Sequence, residues 1–248
     1  MKILLTGHKG FIGQHLYNFL KDNHTIIGID DQSGDNLLTC DLKHNVDLVI
    51  HLAGLSGVRD SLDRPTEYWE QNVIAGQRLF DYFKDTRILY ASSSTAHEPW
   101  KNPYAMSKYG LEQIAHKNSV GMRFTTVYGP NAREHMLIPR ILRHDVPYIN
   151  TNHSRDFLHV DDLVRAIDSL INSNVRGITD IGSGRTNNLI ELVDYFKIDC
   201  ERVVGNKFER LDNLADNTLL NNLGWSPQIN LYDYIKENKN DNWRISKR

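Results

Sequence analysis

Two cysteines are all that the 248 residues contain. Cys40 and Cys200 lie far apart and outside any cluster of metal-binding residues, so free thiols in a reducing compartment are expected. Charge of one sign is equally scarce. The formal net charge is −2 and no basic run occurs, which leaves nucleic acid without an electrostatic footprint. No apolar stretch approaches the roughly 18 residues that a membrane span requires. The apolar N-terminus reads as a first strand and not a signal peptide, because no cleavage site follows, and the chain is expected in the cytoplasm. The eleven histidines do not gather at metal-ligand spacing, so no metal is expected. Repeats and low-complexity linkers are missing too. What remains is a chain with 40% hydrophobic residues, enough for one large core with a small annex.

Against that background, Tyr104-Ala-Met-Ser-Lys108 stands out. A Tyr and a Lys four apart share one helix face. There an ammonium favours the phenolate of a side chain whose pKa is ordinarily about 10. The upstream run Ser92-Ser93-Ser94-Thr95 offers a hydroxyl to hold the same substrate oxygen. This is equipment for moving a proton while a hydride leaves carbon.

At the start of the chain, Lys2-Ile3-Leu4-Leu5-Thr6 reads as a buried strand and Phe11 to Leu20 as a helix. Between them lies Gly7-His8-Lys9-Gly10-Phe11-Ile12-Gly13. Strand, glycine turn and helix make the context of a dinucleotide loop, in which backbone meets pyrophosphate at a helix N-terminus. The next strand, Thr25 to Ile29, ends in Asp30-Asp31. A carboxylate there accepts from the ribose hydroxyls and repels a 2′-phosphate, which favours NAD over NADP.

Strands and helices then alternate. Strands are expected at 47–52, 87–92, 121–127 and 177–182, and one ending at Cys40. Helices are expected at 66–84, 104–117, 134–142, 160–171, 187–196, 215–223 and 231–238, with Arg155-Asp156-Phe157 in a loop and a polar tail from Asn238. Such alternation predicts an α/β fold, a Rossmann-type doubly wound parallel sheet with a small mixed C-terminal substrate-binding region. Residues 1–130 are expected to form the NAD-binding part, with 155–182 returning to it. Residues 131–154 and 183–248 are expected to bind substrate, in the cleft between the two. Gly7, Asp30, Ala53-Gly54, Ser93 and Thr126-Val127-Tyr128 all fall at strand carboxyl ends, where ligands bind in this architecture.

These residues carry a resemblance. The chain is similar to the extended short-chain dehydrogenase/reductases, in the NAD-dependent sugar-nucleotide epimerase/dehydratase family, from Met1 to about Lys236. The motifs in order are Thr6 to Gly13, His51-Leu52-Ala53-Gly54, Asn72, the serine run, Tyr104 with Lys108, Arg123 to Pro130, Arg155 to Asp162, Asp180 to Gly184, and Leu223-Gly224-Trp225-Ser226-Pro227. Within that family, Gly57-Val58-Arg59-Asp60-Ser61-Leu62 and Tyr128-Gly129-Pro130 with Arg133 most resemble UDP-glucuronate 4-epimerases.

The resemblance implies roles. Tyr104 is the base for the sugar C4 hydroxyl, and Lys108 binds nicotinamide ribose. Ser93 is the helper hydroxyl, with Ser94 the alternative one register on. Gly7, Gly10, Phe11, Ile12, Gly13, Asp30, Asp31, Asp41, Leu42, Leu52, Ala53, Gly54 and Asn72 surround NAD, and Asp41-Leu42 lies near adenine. Ser94, Thr95, Arg133 and Arg155 meet the substrate, Arg155 through a phosphate and Arg133 through a sugar carboxylate. The implied reaction is epimerisation of a UDP-hexose or UDP-hexuronate through a 4-keto sugar, in a homodimer paired through helices 66–84 and 104–117. Dehydratase relatives carry Asp-Glu, and decarboxylating ones Glu, where this chain has Ser94-Thr95, with no acid before Glu98. Dehydration, decarboxylation, reduction and a non-enzymatic binding module remain as alternatives. Three departures stand out: short segments at 31–41 and 97–102, and Asn206 where relatives have a nucleotide-gripping arginine, leaving Lys207 or Arg210 to substitute. Arg59 reads equally as a phosphate contact and as a surface ion pair.

Overall fold

A computed structural model of the chain describes residues 1–239, so the expected polar tail lies almost wholly outside them. The first half runs β1 (Lys2–Thr6), α1 (Phe11–Leu20), β2 (Thr25–Ile29), β3 (Leu48–His51), α2 (Val58–Asp63), α3 (Pro65–Trp69), α4 (Ala75–Tyr82), β4 (Arg87–Ser93), α5 (Pro103–Ile114) and β5 (Ser119–Phe124). The second runs β6 (Thr126–Tyr128), α6 (Leu137–Arg143), β7 (Tyr148–Asn150), β8 (Ser154–His159), α7 (Val160–Ile171), β9 (Gly177–Ile181), β10 (Thr186–Asn188), α8 (Leu189–Tyr195), β11 (Glu201–Val203), α9 (Thr218–Asn222) and α10 (Leu231–Asn238).

Six strands form a parallel sheet in the order β2-β1-β3-β4-β5-β9. Their near-continuous apolar character follows from burial on both faces. In β1, Ile3 and Leu5 pack with Leu16 and Leu20 of α1 and with α7. Leu4, between them, faces the other layer, with Leu79 of α4 and Leu111 of α5. The strand order reverses between β1 and β3, so the loops that follow them part and open a crevice at the carboxyl ends. A second core, including Tyr128, Ile141, Phe157, Leu192 and Ile235, lies under a three-stranded sheet (β10-β8-β6) and the pair β11-β7. The fold is thus α/β and Rossmann-type, with a smaller mixed part.

Several elements differ from expectation. The strand expected over 121–127 divides. β5 ends at Phe124, the Thr125 amide donates to the Ile181 carbonyl, and β6 restarts beside β8. Arg155-Asp156-Phe157 is not a loop but the middle of β8, paired on both sides. Its polar residues hid the strand. The helix expected over 66–84 runs from 65 to 82, entered through Pro65, which cannot continue α2 and takes the first position of α3. Residues Glu70–Ile74 are π-helical before α4 begins. No strand ends at Cys40, because the Asn36 side chain takes the Leu38 amide and its carbonyl takes those of Thr39 and Cys40, making a turn. Residues 186–188 pair as β10, and the Asn188 side chain then caps α8, which delays the helix expected at 187. The helices expected at 104–117, 134–142 and 215–223 form at 103–114, 137–143 and 218–222.

Candidate active site

The glycine loop builds one wall of the crevice. Gly7 takes φ +72°, and a Cβ there would meet the Ala53 amide nitrogen at 2.6 Å. A Cβ on Gly13 would lie 2.0 Å from the Gly7 carbonyl, so the first turn of α1 is pressed against the loop. Gly10 begins α1 without a side-chain cap, which leaves its first amides, at Phe11, Ile12 and Gly13, for an anion. Buried Asp30 ends β2, and its two carboxylate oxygens accept from the amides of Lys9 (2.9 Å) and Gln32 (3.0 Å). Asp30 therefore ties the loop to the strand. Asp31 beside it is exposed.

The opposite wall carries the proton-moving groups. Asn102 caps α5 by accepting from the Ala105 amide at 2.8 Å, which sets the turn that holds Tyr104. Ser93 ends β4, and its hydroxyl faces Tyr104 while accepting from the Thr95 amide (3.2 Å) and hydroxyl (2.9 Å). Burial raises the Tyr104 pKa, while Ser93 and the guanidinium of Arg133 act to lower it. Lys108 donates from Nζ to the Ala91 carbonyl at 2.9 Å and not to the tyrosine. Burial pulls its pKa down to about 8, opposed by Glu112 one turn further along α5. Ser93 and the Arg133 charge, more than the lysine, thus favour the phenolate in this arrangement. Glu112 is held by Arg123, at 2.8 and 2.6 Å, and by the Ser92 hydroxyl. His51, under the site, is forced down to about 3 by burial and then by Lys108, so it is neutral and serves as a structural group, with Nδ1 2.8 Å from Thr6 Oγ1.

Both walls border one cavity of about 1200 Å³. The second region closes it with Arg133, Arg155, Tyr148 and Glu209. A dinucleotide cradle, a tyrosine-serine-lysine group and a basic far end share a single space. The family model that matches is that of the NAD dependent epimerase/dehydratase family, over residues 3–182. The chain belongs to this family. An uncharacterized UDP-glucose epimerase of Bacillus subtilis (strain 168) is 31% identical over 229 residues, covering 69% of this chain and 72% of that protein. A UDP-glucuronate 4-epimerase of Thermodesulfobacterium geofontis (strain OPF15) is 26% identical over 96% of this chain and 94% of its own length. The solved structure of MoeE5 in complex with UDP-glucuronic acid and NAD has a TM-score of 0.84 at 26% identity, covering 100% of both chains.

NAD is the cofactor of this epimerase/dehydratase, and the crevice fits it, with a glycine cradle that a Cβ would fill and an uncapped helix start. Of the residues expected around NAD, Gly7, Gly10, Phe11, Ile12, Gly13, Leu52 and Gly54 line the cavity, as do Tyr104 and Lys108. Ala53 packs partly buried behind it. Asn72 is buried beneath, bonded through its amide to both backbone groups of Leu55 and to Ser107. It supports the loop after β3. Asp41 and Leu42 do not line the cavity. Asp41 is exposed and caps the Lys43 amide, and Leu42 is buried in the core behind the sheet.

Among expected substrate residues, Ser94, Thr95, Arg133 and Arg155 line the cavity. The Arg133 guanidinium has no hydrogen bond or ion pair among the described residues, and the residue is exposed. Arg155 is held by the Ser154 carbonyl (2.7 Å) and faces Glu209 at 3.4 Å. Glu98, the first acid after the serine run, is spent on Arg210 (3.0 Å) and Lys101 (3.4 Å). Arg210 also donates to the Ser94 carbonyl. Lys207 lies over the Phe208 ring and outside the cavity. Sequence reasoning missed Tyr148, Glu209 and Asn213. No local motif marks Tyr148 or Asn213, Glu209 falls only in the 206–209 segment that departs from relatives, and the packing of the 204–213 segment against β7, β8 and the serine run brings them in.

Proposed function

We propose that this chain is an NAD-dependent 4-epimerase of a nucleotide sugar, with a UDP-linked hexuronate the favoured substrate. The observation that carries the reading is that Ser93, Tyr104 and Lys108 share one cavity with the glycine cradle, in a site whose dehydratase-type acid positions are Ser94 and Thr95. Glu98 cannot supply the missing acid while Arg210 and Lys101 hold it. NAD, when bound, supplies the transient hydride acceptor that takes carbon 4 to a ketone and back. Tyr104 Oη takes the O4 proton and later returns it. Ser93 donates to O4 as charge develops there. Lys108 holds the nicotinamide ribose and keeps a positive charge near the phenol. Arg133, with no partner of its own, pairs with the sugar carboxylate, and its planar fork suits that group. Arg155 faces the diphosphate. The names of the relatives and the UDP-glucuronic acid in the MoeE5 structure support this choice of sugar.

Residues 1–130 and 155–182 form the NAD-binding part in this reading, and 131–154 and 183–248 the substrate-binding part, of which 240–248 lie outside the described residues. The free thiols of Cys40 and Cys200 support a reducing compartment, the cytoplasm. Trp69, Tyr82, Met106, Tyr109 and Ile114 are exposed on α3, α4 and α5, where Trp69 lies across Gly110, and this exposed apolar surface supports a homodimer.

The deciding experiment is incubation of the NAD-loaded protein with UDP-glucuronate, UDP-glucose and UDP-N-acetylglucosamine, read by NMR at carbon 4. A mixture of C4 epimers from UDP-glucuronate without net NADH is expected. Tyr104→Phe should keep NAD and lose turnover by a factor on the order of 10² to 10⁴. Unchanged donors with NAD still bound would refute the epimerase.

A further inference from the structure

Far from the tyrosine, the cavity holds a carboxylate between two guanidiniums. Glu209 Oε1 accepts from Arg59 Nε at 3.2 Å and from Arg59 NH2 at 3.1 Å. Its Oε2 lies 3.4 Å from Arg155 NH2, 3.4 Å from Asn150 Nδ2 and 3.5 Å from His153 Nδ1. Arg59 comes from α2, on the cofactor side. It spans the cavity to the second region, where it also stacks over the Tyr148 ring at 5.2 Å and donates to the Tyr148 hydroxyl. Glu209 keeps a separate anchor, because Lys101 holds its main-chain carbonyl at 3.2 Å.

We infer that Glu209 is an internal stand-in for the substrate's diphosphate, which displaces it from Arg59 and Arg155, so that Arg59 is a phosphate ligand of this site. This rests on the nucleotide-sugar reading above. One carboxylate carries a single negative charge and faces two guanidiniums, leaving the cluster one charge short. A diphosphate brings at least two charges and offers each planar fork a matching pair of oxygens. The exchange is easy on the Arg59 side. The Arg59 side chain is 57% exposed, and a screened ion pair of that kind holds weakly. Arg155, 17% exposed, is the firmer half of the subsite. Displacement also undoes the link between α2 and the 204–213 segment, so ligand binding replaces an internal bridge by one through the ligand.

The test is calorimetric titration of the NAD-loaded protein with UDP, and with uridine as the phosphate-free probe. Glu209→Gln removes the competing charge and should tighten UDP about three- to tenfold while leaving uridine unchanged. Glu209→Ala should do the same, which guards against an effect of the amide. Arg59→Ala should weaken UDP about tenfold, and in that background the gain from Glu209→Gln should shrink. Unchanged or weaker UDP binding in both Glu209 variants would overturn the inference. So would weakened uridine binding, which would make Glu209 a nucleoside ligand instead. Turnover of UDP-glucuronate is scored separately. UDP bound without turnover sinks the epimerase reading alone, and turnover without tightened UDP sinks this inference alone.

Discussion

Lys108 is the residue whose chemistry the fold changes most. Burial lowers its pKa from 10.5 to about 8, although Glu112 works the other way. If its ammonium is needed beside the phenol and the ribose, turnover falls as pH rises through about 8. Stability moves oppositely. Between about 8 and 10.5 the unfolded chain binds the proton more tightly than the folded one, so this group's contribution becomes more favourable as pH rises. The full effect is at most roughly 3 kcal/mol. A kcat–pH profile alongside urea midpoints, for wild type and Lys108→Met, checks both signs. A variant with the same alkaline stability trend as wild type would show that Lys108 is not the group responsible.

Among the elements, β8 bears the heaviest polar load. Asp156 is fully buried, and its carboxylate accepts from the Ser183 amide (2.6 Å) and hydroxyl (2.7 Å), the Gly184 amide (3.0 Å) and the Ala215 amide (3.2 Å). Burial raises its pKa, and these four donors oppose the rise. One side chain thus fastens β8 to the turn after β9 and to the segment before α9. Asp156→Ala strands those donors in the interior and should cost about 3–5 kcal/mol, read as a lower urea midpoint. A loss below about 1 kcal/mol would mean that water replaces the carboxylate there. Asp162 has a parallel role at the start of α7, where its carboxylate takes the Gln228 and Ile229 amides at 3.0 and 2.9 Å. The Trp225 indole donates to its carbonyl, which makes Leu-Gly-Trp-Ser-Pro a packing anchor.

For the whole molecule, two surfaces matter, the cavity between the walls and the apolar face of α3, α4 and α5. If that face pairs with a second copy, sedimentation should give about twice the mass of 28.6 kDa. Trp69→Glu should then shift the protein to monomer, since a charge in a dry interface goes unpaired. A wild-type monomer at tens of micromolar would remove the dimer.

The sequence by itself determined the parallel sheet, the glycine cradle and the tyrosine-lysine helix. Those depend on local rules: apolar runs make buried strands, glycine admits close backbone approach, and a four-residue spacing fixes a helix face. Only the tertiary structure decided which serine meets Tyr104, because a shift of one residue along β4 turns a side chain to the other face. It also decided that Lys108 reaches the Ala91 carbonyl, that Arg155 lies in a strand, and that Asp41-Leu42 stays out of the cavity. The meeting of Glu209 with Arg59, 150 positions away, is likewise a tertiary fact. Long-range charge pairs leave no periodic trace along a chain, because their partners are chosen by packing and not by spacing.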